Sequence, residues 1–194
     1  YGGALYDSRV GNIVWQGNVN SINSNGASTK GAAIVESLNN SMVTIFGTAL
    51  SESRSLVSGI IANATSEVTI LDITEVKYYT GLALSTNAAI YNYGNSVMYF
   101  GSNLTIGTVT GTPAAVNRLS YGIYCGANSE IYVKGNTTIT DIFNTGGVYL
   151  STSSEGVFND YAIASALNIT SLPNPDRATY GLLAEKGCVA DIAT

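Results

Sequence analysis

Gly122-Ile123-Tyr124, then Asn128-Ser129, then Ile131-Tyr132-Val133-Lys134-Gly135, then Thr138-Ile139-Thr140: the reading of this stretch decides the fold. It runs as a small apolar opening, a polar turn, an alternating strand, a Gly turn and a second short strand. Ala4-Leu5-Tyr6 with Ile13-Val14-Trp15-Gln16-Gly17 and Ile22 repeats it, as does Gly59-Ile60-Ile61 with Val68-Thr69-Ile70-Leu71-Asp72 and Val76. Seven copies can be traced in 194 residues. Self-similarity at a period of roughly 20–50 residues marks a solenoid or a propeller.

Aligning the alternating strands makes Ile13, Val43, Val68, Val97, Ile131, Val157 and Ala190 equivalent, at separations of 30, 25, 29, 34, 26 and 33 residues. No leucine-rich, WD-type or sustained 3.6-residue pattern accompanies them, and β-branched residues dominate. Period-two alternation places Ile13/Trp15, Val43/Ile45, Val68/Ile70, Val97/Tyr99 and Ile131/Val133 on the inner side. Val14, Thr44, Thr69, Met98 and Tyr132 then face outward. Gly17, Gly47, Asp72, Gly101 and Gly135 follow as turn residues suited to positive φ. The predicted fold is all-β: a parallel β-helix of about seven rungs of 25–34 residues, three short strands to the rung. Stacked about 4.8 Å apart, seven rungs give a single rod roughly 30–35 Å long over residues 1–194. Gly107 to Leu119 reads as a projecting loop. The sixth copy is the weakest, because Asn159 stands where an inward aliphatic is expected. A polar ladder, a bulge or a different register would each account for it.

Composition agrees with stacking. Charged residues are only 11% of the chain, which leaves Ser, Thr and Asn to form outward ladders free of like-charge repulsion. The hydrophobic share, 45%, is too high for disorder, and no apolar run approaches the length of a membrane span. A net charge of −5 without a basic stripe argues against nucleic acid as a partner. Histidine is absent, which removes the commonest general base and the usual zinc ligand. No cofactor, metal site or catalytic set is expected. The chain does not open on Met and reads as a segment of a longer solenoid that continues at both ends, since neither end carries a recognisable cap.

Several residues merit weighing. Glu67 and Glu130 fall on corresponding outward positions two rungs apart, hence about 10 Å, just beyond the roughly 6.5–9.5 Å of an inverting glycosidase. Two solvated surface acids are the plainer reading. Cys125 and Cys188 fall in different columns, too far apart for a disulfide, and read as two thiols. Asn-x-Ser/Thr triplets at Asn39, Asn63, Asn103, Asn136 and Asn168 are what this composition produces by chance. The chain has 13 tyrosines, and Tyr78, Tyr79, Tyr91, Tyr93, Tyr99, Tyr124 and Tyr132 form a candidate aromatic ladder. Tyr78, Tyr79, Tyr91, Tyr93 and Tyr132 are the candidate contact residues for a sugar or protein partner. The alternative is that such rings pack at the sheet boundary with their hydroxyls in water.

Tyr121-Gly122-Ile123-Tyr124 followed by Ser129-Glu130-Ile131-Tyr132-Val133-Lys134-Gly135-Asn136-Thr137-Thr138-Ile139-Thr140 resembles the passenger repeats of bacterial autotransporters. Tyr180-Gly181-Leu182-Leu183-Ala184 and Ser58-Gly59-Ile60-Ile61-Ala62 look like the same opening. The resemblance covers most of the chain, and phage tail spikes and other extracellular β-helices share parts of it. It implies a right-handed helix on the surface of a Gram-negative bacterium, exported through a C-terminal outer-membrane barrel outside this segment. It also implies a non-enzymatic, virulence-linked adhesin or autoaggregation factor. Its partners would be a host or bacterial surface glycan or protein, or a second copy of itself. The alternative expectation is part of a polysaccharide-degrading β-helix or tail spike whose active site lies elsewhere. A structural spacer that binds nothing is a third.

Overall fold

The structure is a computed structural model, described here for residues 5–7, 11–24, 33–53, 58–78, 88–109, 119–140, 143–158, 167–170 and 180–192. Twenty strands follow one another. The first three rungs are β1 (Leu5–Asp7), β2 (Asn12–Trp15), β3 (Val19–Ser24); β4 (Val35–Leu38), β5 (Met42–Ile45), β6 (Ala49–Ser53); and β7 (Ile60–Asn63), β8 (Glu67–Ile70), β9 (Thr74–Tyr78). The next two are β10 (Ala88–Tyr93), β11 (Val97–Phe100), β12 (Leu104–Thr108), then β13 (Leu119–Gly126), β14 (Glu130–Val133), β15 (Thr137–Thr140). The chain continues with β16 (Phe143–Leu150), β17 (Glu155–Phe158), β18 (Leu167–Thr170), β19 (Tyr180–Ala184) and β20 (Val189–Ile192).

Every third strand joins the same sheet, and every pairing is parallel. Sheet A holds β1-β4-β7-β10-β13-β16-β19, sheet B β2-β5-β8-β11-β14-β17-β20, and sheet C β3-β6-β9-β12-β15-β18. This is a three-sided parallel β-helix, and the interior is filled by stacked files of side chains.

In sheet B the inner file runs Ile13, Val43, Val68, Met98, Ile131, Gly156, Ala190. Two expected members are displaced by one residue. Val97 sits with Glu67 and Glu130 on the outer side, and Met98 takes the inner place, fully buried. Val157 likewise lies beside Tyr132, and Gly156 is inside. The physical reason is the second inner file, Ile45, Ile70, Phe100, Val133, Phe158. Phe100 and Phe158 carry more apolar surface than Tyr99 or Val157, and a one-residue slip exchanges the two faces of a strand. With Phe158 inside, the sixth rung has its inward anchor; Asn159 lies outside the described residues.

Sheet A contributes the file Val35, Ile60, Ile90, Ile123, Val148, Leu182. Sheet C contributes Val76, Ile106 and Ile139 with Ala49, Thr74, Leu104 and Thr137. The interior also takes polar atoms. Ser37 Oγ, Ser51 Oγ, Thr74 Oγ1, Thr137 Oγ1 and Asn92 Oδ1 are buried with no hydrogen-bond partner.

Positive φ does not occur at Gly17, Gly47, Asp72, Gly101 or Gly135, contrary to the sequence expectation. It occurs at the opposite corner, between sheets A and B, as residue pairs: Asn39-Asn40, Ala64-Thr65, Gly94-Asn95, Ala127-Asn128 and Thr152-Ser153. Asparagine tolerates this region through local hydrogen bonds. A buried serine closes each turn. Ser66 N–H donates to Ser96 Oγ at 3.0 Å, and Ser96 N–H donates to Ser129 Oγ at 3.1 Å. Ser66 Oγ in turn donates to the Asn63 carbonyl at 2.7 Å. The step ties one rung to the next inside the corner. Gly47 and Gly135 answer to crowding instead: a Cβ on either would fall 2.4–2.6 Å from atoms of the rung below.

Candidate functional site

The outer face of sheet A carries the site. A register column there runs Glu36, Ile61, Tyr91, Tyr124, Tyr149, Leu183. Tyr93 joins from the same strand as Tyr91, and Tyr121 from the same strand as Tyr124. Strict alternation would put Tyr121 and Tyr124, three apart, on opposite faces. Gly122 and Gly147, inside β13 and β16, prevent this. Gly122 and Ile123 are both buried, as are Gly147 and Val148, so the chain takes two inward residues in succession and both tyrosines emerge outside. Only Gly fits there. A Cβ on Gly122 would stand 2.6 Å from Ile139 Cγ2 and 2.8 Å from the Gly147 carbonyl oxygen, and one on Gly147 2.5 Å from Ile169 Cγ2.

Parallel strands about 4.8 Å apart leave stacked rings little choice but contact. Tyr91 and Tyr124 stack at 5.2 Å between centroids and 12° between planes. Tyr121 and Tyr149 stack at 4.8 Å and 29°. Tyr124 meets Tyr149 edge to face at 5.4 Å, and Tyr93 closes the group 6.0 Å from Tyr91 and 6.2 Å from Tyr124. Such pairs contribute about 0.5–1.5 kcal/mol each beyond burial. They also hold the rings in fixed positions while leaving them half-open to solvent.

Glu185 anchors one border of the cluster. Its Oε1 accepts from the Tyr149 hydroxyl, and its Oε2 accepts from Ser151 Oγ at 2.7 Å and Thr152 N–H at 3.3 Å. These donors hold its carboxyl below the ordinary value, the Tyr149 hydroxyl most of all. The phenols shift the other way. Burial raises Tyr91, Tyr121 and Tyr124, and the hydrogen bond to Glu185 leads the causes that raise Tyr149. Tyr91, Tyr121, Tyr124 and Tyr149 are therefore neutral phenols beside an ionised Glu185 carboxylate at ordinary pH.

The predicted contact residues separate. Tyr91 and Tyr93 lie in the cluster. Tyr78 does not: it is 7% exposed, on the inner side of sheet C, its hydroxyl at the Gly59 backbone and its pKa raised by burial. It is the last of the alternating inward residues Thr74, Val76 and Tyr78, which removes it from any contact surface. Tyr79 lies outside the described residues, as does the centre of the Gly107–Leu119 loop. Tyr132 is on the outer side of sheet B, beside Tyr99 and Val157, and donates to Glu130 Oε2 at 2.8 Å. Burial first, then Glu130, pushes its pKa up to about 12. Sequence reading passes over Tyr121, Tyr149 and Glu185 as contact residues. Gly147-Val148-Tyr149 repeats Gly122-Ile123-Tyr124, and that echo is the signal that could find the second tyrosine pair.

The acids of sheet B form a column of their own. Glu67, Val97, Glu130 and Glu155 are successive partners, so Glu67 and Glu130 are two rungs apart as predicted, and Glu155 lies one rung beyond Glu130. Cys125 and Cys188 are unpaired thiols in different columns. Cys125 continues the inner file after Asn92, and burial pushes its pKa up to about 12. Cys188 takes the place of the next corner serine, 3.8 Å from Ser154 Oγ. Among the described residues, no three His, Cys, Asp or Glu side chains gather as a metal-binding group. No known protein family, curated protein or solved structure matches the chain.

Proposed function

We propose that this chain is a non-enzymatic β-helical rod of the bacterial cell surface or secreted space. It is a passenger-type adhesin segment that attaches through the tyrosine face of sheet A. The observation carrying this reading is the group of five outer tyrosines with centroids 4.8–6.2 Å apart, ordered by the rungs beneath them. Rigid aromatic area with few rotors suits contact with sugars and proteins. Each rung adds one weak interaction, and avidity comes from their number.

The test is binding of purified chain to intact bacterial and epithelial cells and to immobilised surface glycans. Saturable binding without turnover is expected, weakened about tenfold or more by Tyr124→Ala while the far-ultraviolet circular dichroism, which reports the strands, stays unchanged. Undiminished binding by that variant rejects the face.

A second reading rests on Glu130 and Glu155. Their strands are neighbours, about 4.8 Å apart. Two carboxylates on adjacent rungs of one outer column are the neighbourhood that retaining glycosidases use, with carboxyls roughly 5–5.5 Å apart. Release of reducing ends from a polysaccharide, abolished by Glu130→Gln or Glu155→Gln, would favour it over attachment.

A further inference from the structure

We propose that Tyr121 and Tyr149 are a preset site for oxidative cross-linking: a one-electron oxidant of the haem-peroxidase and hydrogen peroxide class joins them as dityrosine, with Glu185 accepting the phenolic proton of Tyr149. Three observations converge on this pair. Its rings are the nearest in the cluster, 4.8 Å between centroids and 29° from parallel. Both are partly open to solvent, so a small oxidant or an electron-abstracting enzyme can reach them. Among the described residues, Tyr149 is the one of the five that donates its hydroxyl to a carboxylate, and that carboxylate's other donors are the neutral Ser151 hydroxyl and Thr152 N–H.

Removing an electron from a phenol makes its hydroxyl strongly acidic, so a positioned base that takes the proton in the same step lowers the barrier. Tyr149 loses one electron to the oxidant and one proton to Glu185, which passes it to water. Tyr121 loses its electron and proton in a second turn of the oxidant. The two phenoxyl radicals form one carbon–carbon bond between positions ortho to their oxygens. The hydrogens on those carbons move to the oxygens and restore both phenols. In sum two phenols and one hydrogen peroxide give one dityrosine and two waters. Glu185 keeps its low carboxyl value through the Tyr149 and Ser151 hydroxyls, so the base is ready at neutral pH. The product would bridge β13 and β16, staple two neighbouring rungs, and do covalently what no cysteine pair does here.

Tyr132 supplies an internal control. It too donates to a carboxylate, Glu130, and no ring contact joins it to its register partner Tyr99 or to any other described aromatic. The experiment treats the purified chain at low concentration with a haem peroxidase and hydrogen peroxide. It follows dityrosine fluorescence in the monomer band and the loss of two hydrogens by mass. Trypsin cuts after Arg118, Lys134 and Arg177, so Tyr121 and Tyr149 fall on different peptides, and fragmentation of the linked pair separates Tyr121 from Tyr124 and Tyr132 and Tyr149 from Tyr161. The expected result is a bond within one chain, carried by the peptides of Tyr121 and Tyr149 and independent of protein concentration. Glu185→Gln should slow its formation about tenfold or more near neutral pH, the low side of what a positioned base supplies. Glu130→Gln should not slow it. A bond between chains, a bond on another pair, an undiminished rate in Glu185→Gln, or no product where free tyrosine couples would each overturn the proposal.

Discussion

The outer faces of sheets A and C stand on the same frame and carry opposite chemistry. On sheet A, Tyr91, Tyr124 and Tyr149 meet ring to ring across three rungs. On sheet C, the outward column is Leu50, Glu75, Thr105, Thr138 and Asn168, and beside it Lys77 pairs with Glu75 at 2.5 Å. Strand spacing is shared, so spacing alone does not make an aromatic face. What differs is a step inside the strands. Gly122 sets two inward residues in succession on β13, so that strand sends out Tyr121 as well as Tyr124, and Gly147 repeats the step on β16, where Gly146 stands in the place of Tyr121. The interior, by contrast, is mostly apolar, with Ser37, Ser51, Thr74, Asn92 and Thr137 set among its aliphatic files.

Substitutions inside, at the glycine step and on the two outer faces should separate in cost. Met98→Ala should cost about 2–5 kcal/mol of unfolding free energy, because it empties a fully buried place in the inner file. Val97→Ala, one residue away and outside, should cost less than about 1 kcal/mol. Equal costs in denaturant titrations would mean the register described for the fourth rung is wrong. Gly122→Ala should come next, at about 1–3 kcal/mol, since the added methyl meets Ile139 and the Gly147 carbonyl. It should also change the near-ultraviolet dichroism of the tyrosines, whereas Thr105→Ala on sheet C should not. Tyr124→Ala removes the ring that both Tyr91 and Tyr149 lean on, and should cost about 0.5–1.5 kcal/mol for each of those two partners. Thr138→Ala on sheet C should be near zero by the same assay.

The smallest effect is that of alkaline pH. Tyr91, Tyr121, Tyr124 and Tyr149 have folded pKa values above the unfolded value of about 10, so the folded state binds their protons more tightly. That stability is complete below pH of about 10 and is lost as pH rises through the raised values. Phenolate absorbance should therefore show a midpoint above that of free tyrosine, and unfolding midpoints should drop on going to strongly alkaline buffer. A midpoint equal to that of free tyrosine would remove the stacked face.

The solenoid, its three strands per rung and most of the inner files are legible in the sequence because period-two alternation is a direct image of inside and outside. Alternation fails where two neighbouring residues are both apolar. Val97 and Met98, or Val157 and Phe158, satisfy the pattern in either register, and only the size of the aromatic that must be buried separates the choices. Tyr78 reads as a surface aromatic when its strand is taken as polar, yet Thr74 and Val76 place it inside. Glu185 is beyond reach of sequence reading. It meets Tyr149 from 36 residues away, and that distance is bridged only by the winding of the chain.

The corners are unequal in the length of chain they admit. Three or four residues separate each described sheet A strand from the following sheet B strand from the second rung onward, and three separate sheet B from sheet C in the first five rungs. Between sheet C and the next sheet A strand the number runs from two to ten. Insertions and deletions can thus accumulate along one seam of the rod, bordering the aromatic strip, without re-registering a single file. A lineage, or an engineer grafting foreign epitopes, could rewrite what the molecule displays there and inherit the scaffold unchanged.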